Sequence, residues 1–140
     1  MSKQVQISLL LTGNELMSGD TVDSNSSRIA LALGARKIGV GKKITVGDDP
    51  ALLTDSLIDL CGSAEVVIIN GGLGPTEDDL TAELVAKVAD KALVNHPEAI
   101  EHLDEWCKRR GLELNASNLK QTLIPEGAEL VANPIGSAVG

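Results

Sequence analysis

Residues 66–81 read VVIINGGLGPTEDDLT, and this stretch decides the fold. The run of β-branched residues Val66–Ile69 is typical of a parallel strand that is covered on both faces. A glycine-rich turn follows it, and the spacing of Leu80, Leu84 and Val88 predicts a helix behind the turn. The order is therefore strand, glycine turn, helix.

Strand and helix patterns also alternate before this stretch. The residues Asp23-Ser24-Asn25 supply a helix start, and so do Asp49-Pro50. Such alternation indicates a mostly parallel sheet with right-handed crossovers and helices on both faces. The predicted strands are Val5–Leu11, Val40–Val46 and Glu65–Asn70. Two predicted helices lie between them. The apolar face of the first is lined by Ile29, Ala30 and Leu33, and that of the second by Leu53, Leu57 and Leu60.

The second half of the chain is less regular. Pro97–Arg110 is predicted to be a helix, and Ala116–Thr122 a short helix entered from Asn115. Glu129–Ala132 is predicted to be a strand. The glycine-rich loop 133–140 follows it, and because such a loop normally leads to another element, we expect the chain to be a piece of a longer protein.

Composition restricts the classes of protein to which the chain can belong. Its 140 residues, 43% of them hydrophobic, suit a single domain over 1–140. A net charge of −8 and the absence of Phe and Tyr disfavour binding to nucleic acid or to anionic membranes. No transmembrane segment or signal peptide is evident, so we expect a cytoplasmic protein. Cys61 and Cys107 have no metal-site or redox spacing and are expected to be free thiols.

The glycine turn has the features of a phosphate site. Glycines within Gly71–Gly74 allow the backbone to approach a ligand closely, and a helix N-terminus favours an anion. The acids Glu77–Asp79 would repel a phosphate unless a divalent cation lay between them. An alternative is a capping box, in which Thr76 is the helix N-cap and Asp79 its partner.

Two aspartates follow the second predicted strand. Asp49, directly before Pro50, is expected to cap the next helix. Asp48 is then available for another role. If its strand lies beside the strand that carries the glycine turn, Asp48 and Asp79 would face one cleft and share a divalent cation such as Mg²⁺, Mn²⁺ or Co²⁺.

Other polar residues are weaker candidates. Glu15 follows the first predicted strand and is either a third metal ligand, an acceptor for a ribose hydroxyl or a solvated acid. Ser24 and Asn25 are either ligand-binding residues or parts of a helix cap. His96 and His102 lie outside the glycine loops and are expected at the surface.

Several of these motifs occur together, in this order, in one protein family. The chain resembles the N-terminal domain of CinA-type proteins over nearly its full length, and more distantly the molybdopterin-binding domains of the MoaB, MogA and MoeA type. The shared motifs are Thr12-Gly13-Asn14-Glu15, Asp23-Ser24-Asn25, Val46-Gly47-Asp48-Asp49, the block from Gly71 to Thr81, Asn118-Leu119-Lys120-Gln121 and Asn133-Pro134-Ile135-Gly136.

The resemblance implies a three-layer α/β/α fold and a homo-oligomer, either a dimer or a trimer. It also implies an activity, because CinA-type N-terminal domains are associated with metal-dependent hydrolysis of ADP-ribose to AMP and ribose 5-phosphate. The molybdopterin relatives instead adenylylate or metallate a pterin phosphate. Many CinA proteins carry a C-terminal deamidase domain, which has no counterpart in these 140 residues.

The resemblance also assigns roles to residues. It places the catalytic and metal-binding acids at Asp48 and Asp79. We expect Asp78 to act as the general base, or to support the metal ligands without binding the metal itself. The motif ends at Thr81, also a candidate ligand-binding residue. The phosphate-cradling positions are Gly71, Gly72, Gly74 and Thr76.

The chain departs from the family pattern at two places. CinA-type proteins usually have Asp where Asn14 stands, and Gly-Thr-Ala-Pro-Gly where residues 136–140 stand. The leading hypothesis is hydrolysis of ADP-ribose. The alternatives are a non-catalytic module that binds a pterin or nucleotide, a molybdopterin adenylyltransferase, and a structural fragment of a longer chain.

Overall fold

A computed structural model describes residues 4–140 of the chain. The chain divides into two compact units, the first ending at Gly71 and the second beginning at Gly72. The expectation of a single domain over residues 1–140 stays a prediction.

The first unit contains the alternating strands and helices that the sequence predicts. At Thr12-Gly13-Asn14-Glu15 the residue types predict a polar glycine turn, but a short helix follows the first strand there. The elements are β1 (Ile7–Thr12), α1 (Asn14–Ser18), α2 (Asn25–Gly34), β2 (Val40–Val46), α3 (Pro50–Ser63) and β3 (Val66–Asn70).

These strands form a parallel sheet in the order β2-β1-β3. The central strand β1 pairs with both neighbours, so that Leu10 lies opposite Ile44 on one side and Ile69 on the other. Every residue of β1 is buried, as expected of a central parallel strand. The predicted parallel sheet is confirmed.

Helices cover both faces of this sheet. Ile7, Leu9 and Leu11 of β1 point to one face and pack against Ile29 and Leu33 of α2. The alternate β1 residues are equally buried, and α3 contacts all the strands of the sheet. The buried face of α3 is made of Leu53, Leu57 and Leu60. The layer order is helix, sheet, helix.

Several details of the predictions for this unit are wrong. Strand β3 lies at the edge of the sheet formed by the described residues, and none of its residues is buried, so it is not covered on both faces as predicted. Strand β1 begins at Ile7 and not at Val5, whose side chain is 45% exposed. Ala30 is exposed, so the buried face of α2 is narrower than predicted. The predicted N-cap of α3 is confirmed, because the Asp49 side chain accepts a hydrogen bond from the Leu52 N–H at 2.8 Å.

The second unit begins in the glycine loop and pairs its strands in the opposite sense. Strands β4 and β5 are antiparallel, and α4 packs against both. No pattern in the sequence predicts these two strands. The elements are α4 (Thr81–Val88), β4 (Leu93–Asn95), α5 (Pro97–Arg109), α6 (Ala116–Leu119), a 3₁₀ turn (Lys120–Thr122) and β5 (Leu123–Pro125).

The end of the chain packs into this second unit. Ala99, Ile124 and Val139 form a buried cluster, against which Leu130 packs. The predicted strand over Glu129–Ala132 is wrong: these residues are irregular, although the backbones of Val131 and Gly140 exchange hydrogen bonds of 2.6 and 2.9 Å.

Two further features concern the described residues as a whole. Cys61 and Cys107 are both free thiols, as predicted, although only Cys107 is buried. Within residues 4–140, none of the helices has the length and apolar character needed to cross a membrane.

Candidate functional site

Thr76 and Asp79 close a turn in the glycine loop of the second unit. The backbone N–H and the hydroxyl of Thr76 donate to Oδ2 of Asp79 at 2.9 and 2.6 Å, and the Asp79 N–H donates to the Thr76 carbonyl at 3.2 Å. These contacts resemble a capping box. Thr76 is nevertheless not a helix N-cap, because α4 begins at Thr81 with Leu80 before it.

The Asp79 carboxyl group is stabilised in its ionised form. Partial burial acts to raise its pKa. This effect is outweighed by hydrogen bonds from the hydroxyl and N–H of Thr76 and from the N–H of Gly74, and by the positive charge of Lys120. The net result is a pKa below the ordinary value. Asp79 is therefore an anion at neutral pH. It is partly buried, whereas its neighbours Glu77 and Asp78 on the same turn are exposed.

Each glycine in and next to this loop is favoured for a different structural reason. Gly72 has a φ of 68°, which favours glycine. A Cβ atom on Gly74 would lie 2.6 Å from Oδ2 of Asp79, so the carboxylate can approach the backbone only because no side chain stands there. In the first unit, Gly71 has a φ of 112°, and a Cβ atom on it would lie 2.4 Å from the Thr12 carbonyl oxygen.

Residues from the end of the second unit support the loop. The Lys120 ammonium group donates to the Thr76 carbonyl, and the Ser117 hydroxyl donates to the Pro75 carbonyl at 3.4 Å. The Thr81 N–H, at the start of α4, donates to the Gly72 carbonyl at 3.1 Å. That N–H therefore anchors the loop, although the helix start was predicted to offer its N–H groups to phosphate.

A cavity lies directly behind this loop. One part of its wall is polar and contains Gly72, Gly74, Asp79, Glu83, Lys120 and Gln121. Lys120 and Gln121 were not among the predicted site residues, although the family motif Asn118-Leu119-Lys120-Gln121 contains both. The apolar part of the wall is formed by Leu73, Ala82, Leu93, Leu123, Ile124 and Val139.

In the first unit, the carboxyl ends of β1 and β2 are joined through Asp48. Its Oδ1 accepts a hydrogen bond from the Thr12 hydroxyl at 3.0 Å, and its Oδ2 accepts one from the Asn14 N–H at 3.1 Å. The Asp48 N–H donates to Oδ1 of Asn14 at 3.0 Å. Asn14, where the family usually has Asp, is thus a hydrogen-bond partner of the backbone.

A cation shared by Asp48 and Asp79 was predicted on the condition that β2 lies beside β3. The strand order does not meet this condition. Strand β2, which leads to Asp48, does not lie beside β3, because β1 is between them. Asp48 and Asp79 belong to different compact units, and their sharing of a cation stays a prediction. Over the described range 4–140, no group of three or more His, Cys, Asp or Glu residues could hold a metal ion.

The weaker candidates Glu15, Ser24 and Asn25 all lie in the first unit. Glu15 is exposed on α1. The Asn25 amide donates to Oδ1 of Asn70 at 3.0 Å, at the carboxyl end of β3. The Ser24 side chain makes no cap bond to α2, and Asp23 accepts from the Ser26 N–H at 2.9 Å instead. Hydrogen bonds from the hydroxyl and N–H of Ser26 lower the pKa of Asp23.

Both histidines were predicted to be surface residues, but neither of them is fully exposed. Both are half-buried, and a ring nitrogen of His102 lies 2.9 Å from the Gly136 carbonyl. Nδ1 of His96 is buried and has no hydrogen-bond partner among the described residues. Neither histidine lines the cavity behind the glycine loop.

Comparison with known sequences identifies a family. The profile described as "Probable molybdopterin binding domain" matches residues 8–140. A CinA-like protein from Colwellia psychrerythraea is 50% identical over 135 residues, which are 96% of this chain and 31% of that protein. The chain thus spans about a third of the length of the curated relatives it matches.

Solved structures agree with that match. A CinA protein of unknown function from Thermoplasma acidophilum has a TM-score of 0.87 and 30% sequence identity, and the alignment covers 98% of this chain and 80% of that one. MoaB from Pyrococcus furiosus, a tungsten cofactor synthesizing protein, has a TM-score of 0.57 and 21% identity, with coverages of 79% and 68%. The second likeness concerns the fold.

Proposed function

Because this chain belongs to the family of probable molybdopterin-binding domains, as a CinA-type member, we propose that it binds a phosphorylated pterin or nucleotide at the cavity behind the glycine loop. One observation carries the proposal. The same cavity is lined by two glycines, by Lys120 and by the acids Asp79 and Glu83, set against an apolar wall, and Asp79 is ionised. Ligand sites in proteins typically combine apolar surface with a few polar groups.

The two kinds of wall suit the two parts of such a ligand. The apolar wall accommodates a flat ring, and Lys120 attracts a phosphate. The Lys120 ammonium has three N–H donors, of which the Thr76 carbonyl takes one, so others are available to phosphate oxygens. Asp79 is already an acceptor for Thr76 and is suited to accept N–H groups of a ring as well.

Binding of GMP and of neopterin monophosphate, measured by isothermal titration calorimetry, tests the proposal. We expect saturable binding that Lys120→Ala weakens roughly 10-fold, the size of a lost charge-assisted hydrogen bond. The matched control is Lys91→Ala, because Lys91 is exposed and does not line the cavity. No binding of either probe to the folded protein, or equal losses in the two variants, would contradict the proposal.

A second candidate function is metal-dependent hydrolysis of ADP-ribose. The observation that favours it is the ionised state of Asp79 on a loop that also presents Asp78 and Glu77. Mg²⁺ is commonly bound by one or two carboxylates together with substrate phosphates. Asp79 would hold the cation, which would polarise a phosphate, and Asp78 would take a proton from the attacking water.

Incubation with ADP-ribose and Mg²⁺, Mn²⁺ or Co²⁺, followed by chromatography for AMP, tests this second candidate. We expect AMP that is absent without metal and is lost in Asp79→Asn. Asp55→Asn, at an exposed acid of α3, is the control and should retain turnover. If binding is observed without AMP, the non-catalytic reading holds. A dimer or trimer stays a prediction that sedimentation would test.

A further inference from the structure

The two edges of the parallel sheet in the first unit are built differently. Strand β2 forms one edge and carries the charged residues Lys42 and Lys43, which are both exposed. It also contains a β-bulge at Gly41, which the register of β1 against β2 skips. Charged side chains and bulges are devices by which proteins keep the edge of a sheet from pairing with another chain. The β2 edge is therefore protected.

Strand β3, at the other edge, has neither device. Its residues Val66–Asn70 read VVIIN, without a charge or a proline, and they pair with β1 in regular register. None of them is buried, and the Val66 side chain is 43% exposed, whereas every residue of β1 is buried. An uncharged strand of β-branched residues with an unprotected edge is a template for pairing with another strand.

Two residues of β3 direct their backbone groups away from β1. The Val66 N–H donates to the Gln6 carbonyl at 3.1 Å, so alternate residues from Val66 onward use their backbone groups to pair with β1. The N–H and C=O groups of Val67 and Ile69 therefore point outward. Within residues 4–140, no strand or other hydrogen-bonding group pairs with them.

We infer that β3 is a docking edge for a second copy of this chain, which pairs with it in antiparallel orientation about a two-fold axis at Ile68. In this arrangement Val67 of one copy lies opposite Ile69 of the other, and the two residues exchange N–H···O=C bonds in both directions. The axis repeats the exchange on its other side. Every outward backbone group of β3 then has a partner, and the two sheets become one.

A second copy suits this edge better than an unrelated strand because β3 complements itself. The partner needs outward backbone groups two residues apart and apolar side chains on both faces, and β3 has both. Each copy carries a net charge of −8, which opposes association elsewhere on the surface. At this edge the flanking acid Glu65 would lie opposite Gly71 of the other copy, and its carboxylate accepts the Gln6 N–H at 3.0 Å on the β1 side. Along residues 65–71 of the paired strands, no acid therefore faces another acid.

Sedimentation velocity of the full chain tests the inference at concentrations of roughly 1 to 300 µM. We expect the average mass to rise toward twice that of one chain. The association should strengthen with NaCl, because salt screens the repulsion between two acidic copies. Val67→Pro removes an outward N–H but no hydrogen bond to β1, so the sheet should stay folded. The dissociation constant should rise roughly 10- to 100-fold, the size of the hydrogen bonds lost on the two sides of the axis.

The matched control is a proline at the opposite edge of the same sheet. The Gly13 N–H donates to the Val46 carbonyl at 3.1 Å, so the backbone groups of the neighbouring Thr45 point outward from β2. Thr45→Pro thus removes an outward N–H from the protected edge, and it should leave the association unchanged.

Amide hydrogen exchange of the wild-type chain locates the interface without a substitution. The Val67 and Ile69 N–H groups should exchange more slowly as the protein concentration rises, whereas the Thr45 N–H should not. If circular dichroism shows that Val67→Pro is unfolded, this measurement decides alone. A chain that stays monomeric over the whole range, equal effects of the two folded proline variants, or exchange at Val67 and Ile69 that does not depend on concentration would overturn the inference. None of these outcomes bears on ligand binding, so the proposed function would stand.

Discussion

Gly74 and Asp79 depend on each other: a Cβ atom on Gly74 would lie 2.6 Å from Oδ2 and 3.0 Å from Cγ of Asp79. The Asp79 carboxylate occupies the space that a side chain at position 74 would need. It is held there by the Thr76 N–H and hydroxyl. The φ of Gly74 is not in the left-handed region, so the backbone conformation does not require glycine there. Glycine is required because the Asp79 carboxylate lies where a Cβ atom would be.

Gly74→Ala should therefore displace the Asp79 carboxylate while the domain stays folded. We expect the affinity for GMP to fall roughly 10-fold, because a charged wall of the cavity moves. Circular dichroism should remain that of the wild-type protein. Gly62→Ala in α3 is the matched control: nothing lies within 4 Å of the added Cβ atom, and its GMP affinity should not change.

The stability contributed by Asp79 should depend on pH. Its pKa in the folded protein is below the ordinary value of 3.8, so ionisation favours the folded state. This contribution is fully present above pH 3.8 and is lost as the pH falls through the lower folded-state value. Urea unfolding at about pH 6 should show wild-type protein more stable than Asp79→Asn, and the difference should shrink at about pH 3. A difference that is the same at both pH values would refute this sign.

The hydrogen bond from the Thr12 hydroxyl to Asp48 should be measurable by a double-mutant cycle. Thr12 is 4% exposed, and its bond to Oδ1 of Asp48 is 3.0 Å long. Urea unfolding of Thr12→Val, Asp48→Ala and the double variant should give a coupling free energy of about 1–2 kcal/mol, as for hydrogen bonds to charged groups. Additive effects of the two substitutions would show that the bond contributes nothing to stability.

Leucines on one helix should differ sharply in their importance. Leu60 is fully buried on α3, whereas Leu52 on the same helix is 56% exposed. Leu60→Ala should lower the free energy of unfolding by about 2–5 kcal/mol, because it leaves a cavity in the core. Leu52→Ala should change it by less than about 1 kcal/mol. Similar losses for the two variants in denaturant titrations would contradict the assigned burial.

The sequence predicted best where a local signal was strong. Strand β2 has the predicted bounds Val40–Val46, and α3 begins at Pro50 under the cap from Asp49. Both follow from residues close together in the chain. Strands β4 (Leu93–Asn95) and β5 (Leu123–Pro125) are too short to show a period of two, and each is stabilised by pairing with the other.

The candidate site was predicted in part for the same reason. The glycines of the loop, Thr76 and Asp79 were found by their spacing, and their mutual contacts span three residues. Lys120 reaches the Thr76 carbonyl from 44 residues away, and Gln121 meets Ser137 across 16 residues. Such contacts leave no periodic trace in the sequence.

By itself the sequence determined the parallel sheet, the helices on both of its faces and the presence of a glycine-rich loop after β3. Apolar periodicity, helix caps and glycine turns act over a few residues, so they can be recognised along the chain. Only the tertiary structure decided that β1 separates β2 from β3, and that Lys120, Gln121 and Val139 complete the cavity behind the loop. These features depend on packing between distant segments, where burial of apolar surface and satisfaction of buried polar groups choose among many local possibilities.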